Sequence, residues 1–93
     1  MRAALASFTK LFADQFAGEN VRMNNVLPGF IDSLPEKPEC RERIPLGRYG
    51  TVDEIANLVM FLCSDLAGNI TGAQYVADGG RTASPKGVTT KPA

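Results

Sequence analysis

Two short β-rich runs lie on either side of one helix pattern, and this order limits the folds open to the chain. The runs are Val21–Leu27 and Gln74–Ala77, and residues 51–63 between them carry apolar side chains at helical spacing. Strands joined through a helix pair in parallel, and a parallel sheet needs helices over both faces. A two-stranded sheet of this kind is not stable alone. The sequence therefore predicts part of an α/β domain.

A first helix is predicted over Arg2–Ala17, with Gly18 as its end. Its large apolar side chains recur every three or four residues and are expected to form core or a helix interface: Leu5, Phe8, Leu11, Phe12 and Phe16. No capping residue precedes the pattern, which indicates a helix entered midway.

The second helix begins at a capping box. The Thr51 hydroxyl can accept from the Glu54 N–H, while the Glu54 carboxylate reaches back. The helix that follows is apolar over much of its surface, so it is predicted to pack on more than one side.

The stretch from Pro28 to Gly50 is rich in proline, glycine and mixed charges, which is typical of a lid or binding loop. A short helix is expected around Pro38–Arg43, with the charged side chains in solvent. Residues 82–93 have almost no bulky apolar side chain, so they are predicted to be a disordered tail.

Composition narrows the possible functions. Ten basic and ten acidic residues cancel, which argues against a nucleic-acid or anionic-membrane partner. The absence of His excludes a Ser-His-Asp triad and a His-ligated metal within these residues. Cys40 and Cys63 have no metal-ligand spacing and are expected to be free thiols. No apolar run reaches the length of a membrane span, and no signal peptide is recognisable, so a cytoplasmic protein is expected.

Three segments carry a family resemblance. Residues 24–33 read NNVLPGFIDS, residues 44–56 read IPLGRYGTVDEIA, and residues 68–80 read GNITGAQYVADGG. In this order, and after the Ala3-Ala4-Leu5 start of the first helix, they resemble the C-terminal part of short-chain dehydrogenase/reductases. The resemblance covers residues 2 to about 81, and residues 1–81 are expected to form the C-terminal part of a Rossmann-type domain.

The resemblance implies a fold, a reaction and a set of residues. The fold would be the C-terminal portion of a Rossmann-like doubly wound parallel sheet, and the reaction NAD- or NADP-dependent hydride transfer between an alcohol and a carbonyl. Pro28 and Gly29 would turn the backbone beside the nicotinamide. The backbone of Ile31 and the hydroxyl of Ser33 would hydrogen-bond its carboxamide. Residues 34–48 would be the substrate lid.

The departures from the family pattern limit what this chain is expected to do alone. No glycine-rich phosphate loop occurs in it, and the position of the family's catalytic Tyr would precede Met1. Arg2 stands where the family has its catalytic Lys; it could bind a ribose hydroxyl but is less suited to lowering a tyrosine pKa. Neither Tyr49 nor Tyr75 is followed by Lys at the fourth residue.

Two hypotheses therefore remain open. The chain is a truncated or split piece of an oxidoreductase that acts on a small carbonyl or alcohol and is inactive by itself. Alternatively, it is a noncatalytic assembly module derived from such an enzyme, since the first helix and the closing strand often build the family's subunit interfaces. Either hypothesis predicts a homo-oligomer or association with the missing N-terminal half.

Overall fold

The computed structural model describes residues 2–83, except for the side chain of Arg2. The elements are α1 (Arg2–Phe16), β1 (Asn25–Pro28), α2 (Pro38–Arg41), α3 (Val52–Cys63) and β2 (Gln74–Ala77). Short 3₁₀ turns lie at Ala17–Glu19, Asp65–Ala67 and Arg81–Ala83. The predicted order of helix, strand, loop with a short helix, helix and strand is confirmed. Of the predicted tail, residues 82–93, Thr82 and Ala83 belong to the last 3₁₀ turn, and residues 84–93 lie outside the described residues.

The two strands form a parallel pair, as predicted. The Asn25 N–H donates to Ala73 O at 2.9 Å, and the Gly29 N–H donates to Ala77 O at 3.3 Å. Residue numbers rise together along both strands, which is the register of a parallel ladder. The chain divides into two compact units, Met1–Leu27 with Leu58–Tyr75, and Pro28–Asn57 with Val76–Ala93.

In the first unit, α1 buries small side chains rather than its large ones. Thr9 and Ala13 are buried, and the Thr9 hydroxyl donates to Leu5 O at 2.8 Å. Phe8 is 51% exposed and Leu11 71% exposed. Phe12 and Phe16 are half-buried, with ring centroids 4.6 Å apart. Within the described residues the predicted stripe is thus not a fully buried core, and the helix-interface alternative stays a prediction.

The end of α1 also differs from the prediction. Gly18 lies within the 3₁₀ turn, and the left-handed residue is Asn20, with φ of 61°. Its N–H donates to Ala17 O at 3.0 Å, which satisfies one of the last carbonyls. Asn tolerates this conformation better than other non-glycine residues, so it replaces Gly as the terminator.

The predicted strand over Val21–Leu27 is observed only from Asn25 onward. Upstream, one backbone hydrogen bond and several polar side chains join the chain to residues 62–73. The Gly72 N–H donates to Met23 O at 2.7 Å. The Arg22 guanidinium donates to the carbonyls of Leu62 and Ser64 at the C-terminus of α3, and to that of Ile70 beyond it, at 2.8–3.4 Å. The Asn24 amide donates to Ile70 O and accepts from the Ala73 N–H, both at 3.0 Å. Polar side chains thus supplement a single backbone hydrogen bond before β1 begins.

Helix α3 begins as predicted and is less enclosed than predicted. The Glu54 N–H donates to Thr51 Oγ1 at 3.0 Å, and the Thr51 N–H donates to Glu54 Oε1 at 2.9 Å, which confirms the capping box. Leu62 is its one buried residue among those described, while Met60 is 72% exposed. The helix therefore packs on one side within residues 2–83. No helix in this described range is long and apolar enough to cross a membrane.

Candidate functional site

The turn after β1 passes unusually close to the turn after β2, both within the second unit. A Cβ added to Gly29 would stand 2.6 Å from Asp78 Cβ and 2.9 Å from Asp78 Cα. Real Cβ atoms do not approach others so closely, and the obstacle includes backbone, which cannot swing away. The φ angle of Gly29 is not positive, so its backbone conformation does not itself require glycine. Glycine is required because any Cβ would overlap Asp78.

Asp78 is buried and acts as the fixed side of this contact. Its carboxylate accepts hydrogen bonds from the Gly80 N–H at 3.0 Å, the Thr82 N–H at 3.1 Å and the Thr82 hydroxyl at 2.8 Å. Burial raises the pKa of Asp78, but these hydrogen bonds outweigh burial and hold that pKa below its usual value. The ionised carboxylate therefore fixes the turn against which Gly29 packs.

The segment after Gly29 is held from one side by a parallel bridge between Ile31 and Gly50. The Gly50 N–H donates to Phe30 O, and the Asp32 N–H donates to Gly50 O, both at 2.9 Å. In a bridge of this type, the N–H and C=O of the central residue point away from its partner. The Ile31 carbonyl accepts from the Leu34 N–H at 3.1 Å. Among the described residues, the Ile31 N–H has no hydrogen-bond acceptor.

The other predicted site residues on this segment lie at its surface. Pro28 and Ser33 are exposed, and the Ser33 hydroxyl makes no hydrogen bond within residues 2–83. The structure thus brings Pro28, Gly29, Ile31 and Ser33 together on one constrained segment with a free amide donor and a free hydroxyl. The side chain of Arg2 lies outside the described residues, so its assigned position stays a prediction.

Asp32 ties this segment to the start of α3, a role that the sequence analysis missed. Its Oδ1 accepts from the Val52 N–H at 3.1 Å, which satisfies one of the free N–H groups at the start of the helix. The two residues are far apart in sequence, so no local motif marks the contact. Only the bridge at Gly50 brings the carboxylate to the helix.

The end of the lid, residues 34–48, is anchored to the turn after β2. The Leu46 N–H donates to Gly79 O at 3.1 Å, and Ile44 is buried. A Cβ on Gly79 would meet Ile44 Cγ2 at 2.6 Å, and Gly79 has φ of 69°. Both facts require glycine at this position. The predicted short helix of the lid is present as α2.

A salt bridge joins the last lid residue to α3. Arg48 Nη1 and Nη2 donate to Glu54 Oε1 and Oε2, each at 2.8 Å, in a bidentate pair. The hydrogen bonds from Arg48 and from the Thr51 N–H lower the pKa of Glu54 to about 2. The Glu54 carboxylate in turn raises the pKa of Arg48. Both side chains are about half exposed, so solvent screens the pair.

A small cavity lies beside this anchor. Its volume is about 130 Å³, and it is lined by Leu46, Arg48, Gly50, Glu54, Ile55, Ala77 and Gly79. Small-molecule sites usually have roughly 300 Å³ or more. This cavity alone is therefore too small for a dinucleotide.

Comparison with known proteins gives consistent matches over nearly the whole chain. A family model described as enoyl-(acyl carrier protein) reductase matches residues 1–82. The 3-oxoacyl-[acyl-carrier-protein] reductase of Aquifex aeolicus is 46% identical over 86 residues, which cover 85% of this chain and 35% of the relative. The acetoacetyl-CoA reductase of Shinella zoogloeoides is 40% identical over 88 residues, covering 86% of this chain and 36% of the relative.

Solved structures agree in fold. A short chain dehydrogenase from Bacillus anthracis superposes with a TM-score of 0.82 at 33% identity, over 89% of this chain and 35% of that one. An acetoin dehydrogenase from Salmonella typhimurium superposes with a TM-score of 0.77 at 35% identity, over 88% of this chain and 34% of that one. The chain thus spans about a third of the length of the relatives that it matches.

Proposed function

This chain belongs to the short-chain dehydrogenase/reductase family, and on that premise we propose that residues 28–48 form the nicotinamide-facing segment and substrate lid of an NAD- or NADP-dependent oxidoreductase. Its α/β fold with a parallel strand pair is that of part of the family's Rossmann-type sheet. The reaction class is the interconversion of an alcohol and a small carbonyl compound.

The observation that carries this proposal is the pair of free polar groups on a rigid segment. A carboxamide needs partners for both its oxygen and its NH₂ group. The Ile31 N–H can donate to the oxygen, and the Ser33 hydroxyl can accept from the NH₂ group. Their segment is fixed by the Gly50 bridge and by the Asp78 contact, so little conformational entropy is lost on binding. The residues present therefore fit a nicotinamide.

Bound nicotinamide supplies hydride transfer between the alcohol and the carbonyl. The residues of this chain contribute orientation, because the Ile31 N–H and the Ser33 hydroxyl fix the plane of the carboxamide and with it the ring. On this proposal the lid, anchored by the buried Ile44, would close over the bound substrate and exclude water from it. No residue among the 93 forms a glycine-rich phosphate loop, and no Tyr precedes a Lys by four positions. We propose that this chain is catalytically inactive alone.

A graft into a full-length relative tests the proposal. Residues 3–81 would replace the matching segment of the 3-oxoacyl-[acyl-carrier-protein] reductase of Aquifex aeolicus, the 46% identical relative, which keeps its own residue at the position of Arg2. We expect reduction of a 3-oxoacyl thioester with NADH or NADPH. Ser33→Ala removes the hydroxyl and should raise the KM for the cofactor about fivefold, the size expected for one net hydrogen bond.

Ser33→Thr is the matched control, because it keeps the hydroxyl. It should leave the KM for the cofactor within about twofold of the unmodified graft. Equal KM values for the Ala and Thr variants would show that the Ser33 hydroxyl does not bind the cofactor. A folded but inactive graft would contradict the proposed function as a whole.

A second candidate function is a noncatalytic assembly module. It is favoured by the exposure of Leu5, Phe8 and Leu11 on α1, since large exposed apolar patches mark interaction surfaces. On this proposal, the chain associates with copies of itself or with full-length relatives. Native mass spectrometry of the chain distinguishes an oligomer from a monomer. A folded, strictly monomeric 93-residue protein would count against the assembly function.

A further inference from the structure

Tyr49 contacts both the lid and the segment that we assign to the nicotinamide. Its ring stacks on Phe30 with centroids 5.4 Å apart and planes 27° apart. Its hydroxyl oxygen accepts the Lys37 N–H at 3.1 Å. The residue is only 5% exposed, so both contacts are shielded from water. One buried side chain thus bridges two functional segments of the second unit.

The lid contact acts at the first turn of α2. Lys37 precedes this helix, and its carbonyl accepts the N–H groups of Cys40 and Arg41, both at 3.0 Å. The position of Lys37 therefore decides whether α2 can form. A helix of four residues has little stability of its own, because its first turn costs more conformational entropy than its hydrogen bonds return. The Tyr49 hydroxyl supplies a tie from outside the helix.

The other contact acts directly beside Gly29. The Phe30 ring lies against Tyr49 and also under the Arg81 guanidinium, whose carbon is 5.1 Å from the ring centroid. The Phe30 carbonyl accepts the Gly50 N–H in the bridge that orients Ile31. A change in the position of the Phe30 ring would therefore change the orientation of the Ile31 amide.

We infer that Tyr49 is a positioning residue that couples the order of the lid to the geometry of Pro28–Ser33. The functional meaning of this coupling rests on the proposed function, while the coupling itself is a property of the chain. Two elements that share one buried side chain stabilise each other reciprocally. Ordering of α2 by the Tyr49 hydroxyl holds the Tyr49 ring against Phe30, and the stacked ring in turn presents the hydroxyl to Lys37.

Amide hydrogen exchange of the full 93-residue chain tests the lid contact. Tyr49→Phe removes one oxygen and keeps the stacked ring. We expect the amides of Cys40 and Arg41 to exchange about fivefold faster, the size expected for one net hydrogen bond, and the Asp32 amide of the coupled Gly50 bridge to exchange faster by a smaller factor. Trypsin cleavage after Arg41 should accelerate in parallel. Tyr75→Phe is the matched control and should change neither rate.

Phe30→Leu tests the coupling. The Phe30 side chain is a hydrocarbon and cannot hydrogen-bond to the lid, yet its replacement should also speed exchange at Cys40 and Arg41 through the Tyr49 ring that it stacks on. Added to Phe30→Leu, Tyr49→Phe should have a smaller effect than it has in the unmodified chain, because the ring is already released. Additive effects would overturn the coupling.

Three further results would overturn the inference. They are unchanged lid exchange in Tyr49→Phe, a uniform rise that includes the Gly72 amide of the first unit, and lid amides that exchange at unprotected rates in the unmodified chain. These measurements need no cofactor. Their failure would leave the nicotinamide proposal standing, and failure of the Ser33 test would leave the coupling standing.

Discussion

Among single residues in the described range, Gly29 is one of two positions, with Gly79, where an added Cβ would overlap a neighbour. Its position is defined by the Asp78 backbone on one side and by the bridge from Phe30 to Gly50 on the other. Asp78 cannot retreat easily, because three hydrogen bonds hold its carboxylate. This contact fixes where the proposed nicotinamide-facing segment begins.

Gly29→Ala should destabilise the chain by about 1–3 kcal/mol, since the new methyl group would overlap Asp78. Urea unfolding at neutral pH measures the effect. Gly18→Ala is the matched control, because nothing lies within 4 Å of a Cβ at that position and its φ is not positive. The control should be neutral or slightly stabilising. Equal stability of the two variants would show that the close approach is not rigid.

At this scale, the sequence predicted where a turn lies but not why it must be glycine. Pro28-Gly29 is recognisable as a turn from local chemistry. The obstacle at Asp78 lies 49 positions away and leaves no local signal. The same holds for Asp32, which caps a helix that begins 20 positions later. Long-range contacts of this kind depend on the sheet register, which the sequence alone does not specify.

Among the elements, α3 has the most strongly defined start. Its capping box, the Asp32 carboxylate and the Arg48 guanidinium all converge on its first turn. Negative charge at a helix N-terminus is favourable, so Glu54 contributes most when it is ionised. The box was predictable because it is a local pattern. The Arg48–Glu54 salt bridge was not predictable, because it forms only once the fold has brought the end of the lid to the start of α3.

The low pKa of Glu54 predicts a pH dependence of stability. Its pKa falls from an ordinary value of 4.5 to about 2 on folding. The contribution of the carboxylate is therefore complete above about pH 4.5 and disappears as the pH falls through about 2. Glu54→Gln should unfold at lower urea concentration at pH 7 and show a shallower loss of stability between these values. High salt should reduce the difference, because the pair is partly exposed.

Glu19→Gln is the control for this series. The Glu19 side chain is exposed and makes no hydrogen bond within residues 2–83. It should follow the unmodified chain at every pH. A Glu54→Gln profile parallel to that of the unmodified chain would show that the Arg48 pair does not contribute to folding.

Strand and helix boundaries were predictable only where local chemistry decides them. The second strand, Gln74–Ala77, was predicted with its observed bounds. The first was predicted too long, because the apolar alternation of Val21–Asn24 does not reveal that Asn24 and Arg22 bond across to other carbonyls. The α1 stripe was assigned to core or a helix interface without a choice between them, because periodicity identifies an apolar face without identifying what covers it.

For the whole molecule, the exposed apolar surface is the main feature without a partner in the described chain. Leu11 on α1, Met60 on α3 and Leu66 after it are 71%, 72% and 84% exposed. Such exposure is unusual for a protein that acts as a monomer. The exposed apolar surface is consistent with a chain that spans only about a third of the length of each relative.

Leu11→Lys should reduce association of the chain without loss of folded stability, because the side chain makes few internal contacts at 71% exposure. Sedimentation velocity at several concentrations measures the change. Glu19→Gln adds the same single unit of positive charge at an exposed position beyond the end of α1 and is the control. Association that is equal in the two variants would exclude the Leu11 face as the interface.

The central claim is that this chain carries the nicotinamide side of an oxidoreductase site and not the phosphate side. Fluorescence titration with NADH and NADPH tests it most directly, on the isolated chain and on the graft into the Aquifex aeolicus relative. We predict saturable binding by the graft and none below millimolar concentration by the isolated chain. Tight binding by the isolated chain, or no binding by a folded graft, would contradict the claim.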